Sequence, residues 1–291
     1  MSESESGWRK IDKQELKTAS PDIIFGVDSD FEEHVGSLEE ACNTNDLDTI
    51  RELLNNNKFV ENIVIRKGEK KEWLHLLERA VNAAAQTEIG KDFNAILNAK
   101  ELTQVIESGK LSPFAGAELA GSLYHLDRDD ECQRLAKLIS GPETSAIDVV
   151  TKANAFNTLG SLYLRQGNVK ASLDANKAGL ELLAKAESGD QNSKWQINKL
   201  KYGVLVDRMT RKVHSDMPEQ FFALRREREV LGDTFHLGRT DLDAARAFAM
   251  LKKKDQAIHY AQRARDIMNE QGYWSGAVQA EELLGQLKQK N

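Results

Sequence analysis

The tetrapeptide Gly-Ser-Leu-Tyr occurs at 121–124 and again at 160–163, and this 39-residue spacing constrains the fold more than any other feature of the chain. Each copy ends an apolar, helix-periodic stretch. Each is followed by a polar turn, Asp127 to Asp130 in the first case and Gln166-Gly167-Asn168 in the second, and then by another periodic stretch. Two helices joined by so short a connection must lie antiparallel. A lone hairpin cannot bury its apolar face, so hairpins recurring every 35 to 45 residues or so are expected to stack on one another.

The helical period extends well beyond the repeated segment. Phe31, Val35 and Leu38 form one apolar stripe, and Leu47, Ile50, Leu53 and Leu54 form a second, with Asn43 to Asp46 as the turn between them. Trp73, Leu74, Leu77, Ala80, Val81 and Ala84 give a further helix. Phe93, Ile96, Leu97, Leu102, Val105 and Ile106 read as another, separated from it by Gly90 and ended by Gly109 and Ser112-Pro113. The one segment with strand character is Phe59 to Ile65, whose β-branched residues suit a buried helical turn equally well. Helices are expected from about Ser193 to Lys212, over 218–231, 239–252 and 254–270, and last over 274–289. Only 4 prolines interrupt 291 residues, which argues against sandwiches and barrels with their frequent turns. The expected class is therefore all-α, a right-handed superhelical solenoid of antiparallel helical hairpins. Its expected divisions are a polar, acidic arm over 1–29, a helical cap region over 30–111, and repeats over 112–291.

Several chemistries find no support. No apolar run approaches the roughly 20 residues a membrane helix needs, and Met1 to Lys10 lacks the apolar stretch of a signal peptide. Cys42 and Cys132 make no disulfide framework, so a cytoplasmic or nucleocytoplasmic location is expected. His34, His75, His125, His214, His236 and His259 never stand four apart, neither cysteine has a ligand-spaced neighbour, and neither a phosphate-binding glycine loop nor a nucleophile elbow is present. No metal, cofactor or catalytic residue is expected. Charge is unevenly divided: residues 1–145 hold 28 acids and 17 bases, whereas 194–265 hold 9 acids and 16 bases, with clusters at Arg208–Lys212, Arg225–Arg228 and Lys252–Lys254. Such a region is either the solvated faces of helices or a basic surface for an acidic partner or a phosphate backbone.

Phe156-x-x-Leu159-Gly160-x-x-Tyr163, continued by Gln166-Gly167-Asn168 and by the small residues Ser172 and Gly179, resembles the tetratricopeptide repeat, with Phe for the usual Trp. Ala245-x-x-Phe248 with Ala257-Ile258 and Ala264 fits the same register. Gly160 and Ala245 stand 85 residues apart, longer than two standard units of about 34. The intervening hairpin is therefore expected to be elongated. Leu38-x-x-Ala41-Cys42-x-x-Asn45 resembles the start of an ankyrin hairpin, with Asn45 where that family prefers glycine.

The tetratricopeptide resemblance implies a concave groove, lined by the first helix of each hairpin, that holds an extended protein segment. Carried onto this chain, the groove residues are Glu118, Ser122, Asn157 and Ser161, with His125 and Asn154 a turn further out and Arg239 and Arg246 in the last hairpin. Asparagines suit backbone recognition, and arginines suit carboxylates or phosphates. The function expected is thus a non-enzymatic scaffold or regulatory subunit whose partner is a protein or peptide segment, an acidic one if the arginines are used. A nucleic-acid-associated protein using 194–265, and a helical-repeat enzyme with a dispersed site, are the alternatives.

Overall fold

A computed structural model of the chain describes residues 30–65, 71–85, 92–96, 98–144, 147–186, 191–233, 236–270 and 274–289. The expected arm over 1–29, and Gly90 and Leu97, lie outside the described residues. Among those described there is no strand, and the helices stack as a tetratricopeptide-like solenoid of antiparallel hairpins.

The helices in chain order are α1 (Phe31–Thr44), α2 (Leu47–Asn55), α3 (Asn57–Ile65), α4 (Lys71–Ala84) and α5 (Ala99–Glu107). The repeats follow as α6 (Pro113–His125) with α7 (Asp129–Ser140), α8 (Val149–Arg165) with α9 (Val169–Lys185), α10 (Gln191–Arg211) with α11 (Met217–Leu231), and α12 (Leu237–Met250) with α13 (Lys254–Glu270). Helix α14 (Trp274–Gln289) packs against α13. No described helix is long and apolar enough to cross a membrane.

Two local readings are settled by polar side chains. Phe59 to Ile65 is helical: Asn56 Oδ1 accepts the Phe59 N–H at 3.1 Å, and Phe59, Val60 and Ile63 are buried on one face. The single helix expected over Phe93 to Ile106 is instead a 3-10 turn at Phe93–Ala95 followed by α5. Asn98 divides them, because its Oδ1 accepts the Glu101 N–H at 3.0 Å and starts a new helix.

One turn ends helix after helix. At Asn45, Asp127, Gly167, Gly232 and Lys252 the backbone enters the left-handed region, with φ of 58, 59, 75, 75 and 60°. The next N–H then reaches back to the carbonyl five residues earlier: Asp46 to Ala41, Arg128 to Leu123, Asn168 to Tyr163, Asp233 to Arg228 and Lys253 to Phe248, all at 2.8–2.9 Å. This six-to-one closure satisfies a carbonyl that the helix end leaves without a partner. Asn45 thus adopts the backbone its place in the sequence demanded.

Apolar packing is continuous from Phe31 through to Ala175, so α1–α5 and the first repeats share one core. Leu38, Ile50 and Leu54 are fully buried within it, each worth about 1.5–3 kcal/mol. Beyond Ala175 the apolar interior breaks into smaller clusters, the last of them rich in alanine: Ala245, Ala257, Ala261, Ala264 and Ala280 are fully buried where α12, α13 and α14 meet. Between these clusters the interior is polar.

Candidate binding surface

Helix α8 begins where Asp148 caps Thr151 N–H at 2.9 Å, and it carries three of the residues expected in the groove. They do not share one environment. Asn154 is buried, and its Nδ2 donates to Oε1 of buried Glu118 on α6 at 2.5 Å, so these two side chains join neighbouring hairpins. Asn157 and Ser161 are half-buried, and no described residue bonds to either side chain. Ser122 is fully buried, with its hydroxyl donating to Leu119 O at 2.8 Å. His125 is half-buried with its ring edge-on to Tyr124 at 4.7 Å. The guanidinium of Arg165 covers that same tyrosine at 4.0 Å.

The arginines on α12 belong to a second polar group. Arg239 is exposed and donates to the Tyr202 hydroxyl at 3.2 Å. Tyr202 donates in turn to Asp243, whose other oxygen accepts from Arg246 at 2.7 Å, and Arg246 reaches Gln279 of α14 at 3.0 Å. Burial, followed by the charge of Asp243, pushes the Tyr202 phenol well above its ordinary value. The tyrosine is therefore a fixed hydrogen-bond donor. Arg246 is paired with Asp243, and Arg239 lies exposed at the edge of the group. None of these bonds joins the α6–α8 group to the α10–α12–α14 group.

Beneath Tyr202 lies Arg228, only 1 % exposed, with its guanidinium 4.6 Å from the tyrosine ring. It donates to Asn198 Oδ1 at 2.7 Å, to Thr240 Oγ1 at 2.5 Å and to His236 O at 3.0 Å, and stands 3.9 Å from Asp233. Asp233 also accepts from Trp195 Nε1 at 3.1 Å and from the His236 backbone at 3.0 Å, and it lies 2.9 Å from the His236 ring. Burial works to raise the Asp233 pKa, but His236 and Arg228 outweigh it and hold the carboxyl at about 2. An aspartate on a histidine Nδ1 is the arrangement that orients a general base. Here it also clasps Trp195 and the turn between α11 and α12, which makes it a structural joint.

A third polar group sits between α9 and α10. Asn176 is wedged between Gly160 and Gly203: a Cβ built on Gly160 would lie 2.6 Å from Asn176 Oδ1, and one on Gly203 would lie 2.7 Å from it. Its Nδ2 donates to Asp207 Oδ2 at 3.0 Å. Ser172 Oγ stands 2.8 Å from Gly160 O and 2.7 Å from Asp207 Oδ1. A hydroxyl has one proton and serves one acceptor at a time. A protonated Asp207 would donate to Ser172 and free the serine for Gly160 O, and burial does raise the Asp207 pKa.

No protein-family model matches this chain, and no curated protein sequence matches it. Its likeness is to solved helical-repeat structures. One is a signal transduction ATPase with a tetratricopeptide repeat sensor from Pyrococcus horikoshii, with a TM-score of 0.50 and 13% identity, over 82% of this chain and 37% of that one. Another is the apo form of RapI, at a TM-score of 0.49 and 12% identity, over 89% of this chain and 71% of that one. The chain spans little more than a third of the archaeal protein, and the likeness establishes the fold.

Of the expected groove residues, Asn157, Ser161 and Arg239 keep groups directed to solvent, while Glu118, Ser122 and Asn154 are built into the interior. The basic cluster at Arg225–Arg228 is also largely internal. Arg225 and Arg228 are 7 % and 1 % exposed, and Arg225 lies 3.0 Å from buried Asp241, so only Arg226 of that trio faces solvent. Tyr202, Asp243 and Gln279, which complete the α12 group, stand on three different helices, so no local pattern in the sequence brings them together.

Proposed function

We propose that this chain is a non-enzymatic, cytoplasmic scaffold or regulatory subunit that holds a segment of another protein against the concave face of its solenoid. The observation carrying this reading is that Asn157 and Ser161, neighbours on α8, have no bonded side-chain partner among the described residues, in a fold where most buried polar groups are bonded. An asparagine amide offers a donor and an acceptor together, which suits a peptide backbone. Arg239, exposed beside Tyr202, suits a carboxylate on the same segment. His125 stands at the margin, Glu118 with Asn154 forms the floor, and Ser122 packs beneath it. Arg246 fixes the wall through Asp243. In this reading α1–α5 cap the array. The archaeal neighbour described as carrying a repeat sensor is in keeping with ligand-responsive use of such a fold.

The test is affinity capture from the native cell, with each partner's binding then measured against Asn157→Ala and Arg239→Ala. Both should leave the melting temperature unchanged. Asn157→Ala should weaken binding by about 1–3 kcal/mol if it strands a buried partner group. Affinity unmoved by both substitutions rules out the concave site. Capture of nucleic acid, with log affinity falling steeply against log salt, would favour the exposed Arg208, Arg211, Lys212, Lys252 and Lys253 and half-buried Lys254 instead.

A further inference from the structure

Helices α10 and α11 leave an open groove of about 550 Å³ between them, lined by Lys194, Ile197 and Lys201 from the first and by Ala223, Arg226, Glu227, Val230 and Leu231 from the second. The spacing of these residues, three, four and seven apart, places each set on one helix face. The floor is apolar. Val230 is 88 % exposed, more than any other large apolar side chain described. The rim is basic. Lys201 is paired with Glu227 at 3.0 Å, and Glu227 also takes Asn198 Nδ2 at 3.2 Å, so both of its oxygens are already engaged within the chain. Lys194 and Arg226 are exposed and have no acidic partner among the described residues.

We infer that this groove docks an acidic amphipathic helix of a partner protein. Both walls are α-helices, whose backbone groups are already bonded within themselves. The lining here also has no amide or hydroxyl side chain of the kind Asn157 and Ser161 offer elsewhere, so an extended segment would leave its own N–H and C=O groups poorly matched, whereas a helix brings its own satisfied. The lined stretch of α11, Ala223 to Leu231, is about 12 Å long at 1.5 Å per residue. That accommodates apolar anchors at i, i+3 or i+4, and i+7. Aspartates or glutamates flanking those anchors would meet Lys194 and Arg226. The groove is open along its length, which suits a helix partly in solvent better than an alkyl chain needing enclosure. This surface does not use Asn157, Ser161 or Arg239, so its occupancy does not depend on the concave groove.

The probe is a fluorescein-labelled peptide of about 18 residues, long enough to form a helix, with Leu at i, i+3, i+4 and i+7 and Glu on the other face. Its controls are the same peptide with Lys for Glu and a version of scrambled order. Anisotropy with the full chain should show the acidic peptide binding at least tenfold more tightly than either control. Val230→Asp should reduce that affinity at least tenfold. The double variant Lys194→Glu/Arg226→Glu should reverse the preference, so that the lysine peptide binds better, and Asn157→Ala should change nothing. All these positions are solvent-facing, so circular dichroism should show unchanged melting. The inference is overturned if the acidic peptide binds no better than its controls, or if the rim and floor variants leave its affinity unchanged. Self-association that Val230→Asp abolishes, or dodecanoate binding more tightly than the peptide, would give the groove another occupant and equally overturn it.

Discussion

Replacing Gly160 with alanine should destabilise the solenoid, although alanine is the better helix former by about 1 kcal/mol. The added Cβ would meet Asn176 Oδ1, Nδ2 and Cγ at 2.6–2.8 Å. Asn176 cannot retreat, because Gly203 holds its opposite side equally closely and Asp207 anchors its amide. Overpacking of this kind costs about 1–3 kcal/mol. Displacing the amide from buried Asp207 strands a polar group, at about another 1–3 kcal/mol. Set against the gain in propensity of about 1 kcal/mol, a net loss of about 1–5 kcal/mol is expected in urea unfolding followed by far-UV circular dichroism. The double variant Gly160→Ala/Asn176→Ala isolates the cause. With the amide gone the clash is gone, so the pair should be no less stable than Asn176→Ala alone. Two losses that simply add, or a Gly160→Ala protein more stable than the parent, would refute the argument that this asparagine fills the helix crossing.

The buried Asp207 predicts a pH effect of definite sign. Its folded-state pKa is raised by burial, against the opposing hydrogen bonds of Ser172 and Asn176 and the charge of Arg211. Its contribution to stability is thus complete below the unfolded value of about 3.9 and is lost as pH rises through the raised folded value. Asp207→Asn should accordingly be more stable than the parent at pH 7, with the gap narrowing on acidification through that range. A gap independent of pH would contradict this. Arg228→Met should cost about 3–5 kcal/mol in urea unfolding, because Asp233 and Asn198 would stay buried without their cation. A loss under about 1 kcal/mol would mean the network contributes little. Cys132 is fully buried, and burial pushes its thiol up to about 12. Its reaction with a disulfide reagent at pH 8 should therefore await unfolding, while half-buried Cys42 reacts first.

The helices were legible because their apolar period is local. A stripe such as Trp73, Leu74, Leu77, Ala80, Val81 and Ala84 announces both a helix and its buried face, and the structure buries all six. The repeated turn was legible at Gly167 and Asn45, residue types that accept a left-handed backbone, but not at Lys252, where nothing in the side chain signals it. Asn98 gives no such signal, because a cap within an apolar period reads as one more polar position. The burial of polar side chains is less legible still. Arg228 and Arg226 are two residues apart in a basic run, and nothing local says that one faces Asn198 and Thr240 while the other faces water. Asn176 finds Asp207 31 residues away, and Asn154 finds Glu118 36 residues away. Pairings at that range are set by how hairpins stack, which one helix's period cannot report.

Hairpin α10–α11 bonds through polar groups on both sides: Asp207 to Ser172 and Asn176 of α9, and Arg228 to Thr240 of α12. Solenoids built on interchangeable apolar faces can lengthen or shorten by copying or dropping a unit, since any face fits the next. This unit has no such freedom. Excising it would leave Ser172 and Asn176 of α9 without Asp207 and Thr240 of α12 without Arg228, and a second copy would have to repeat both sets of bonds in register. The middle of the array therefore behaves like a keyed joint, in which losing or copying this one unit strands buried polar groups.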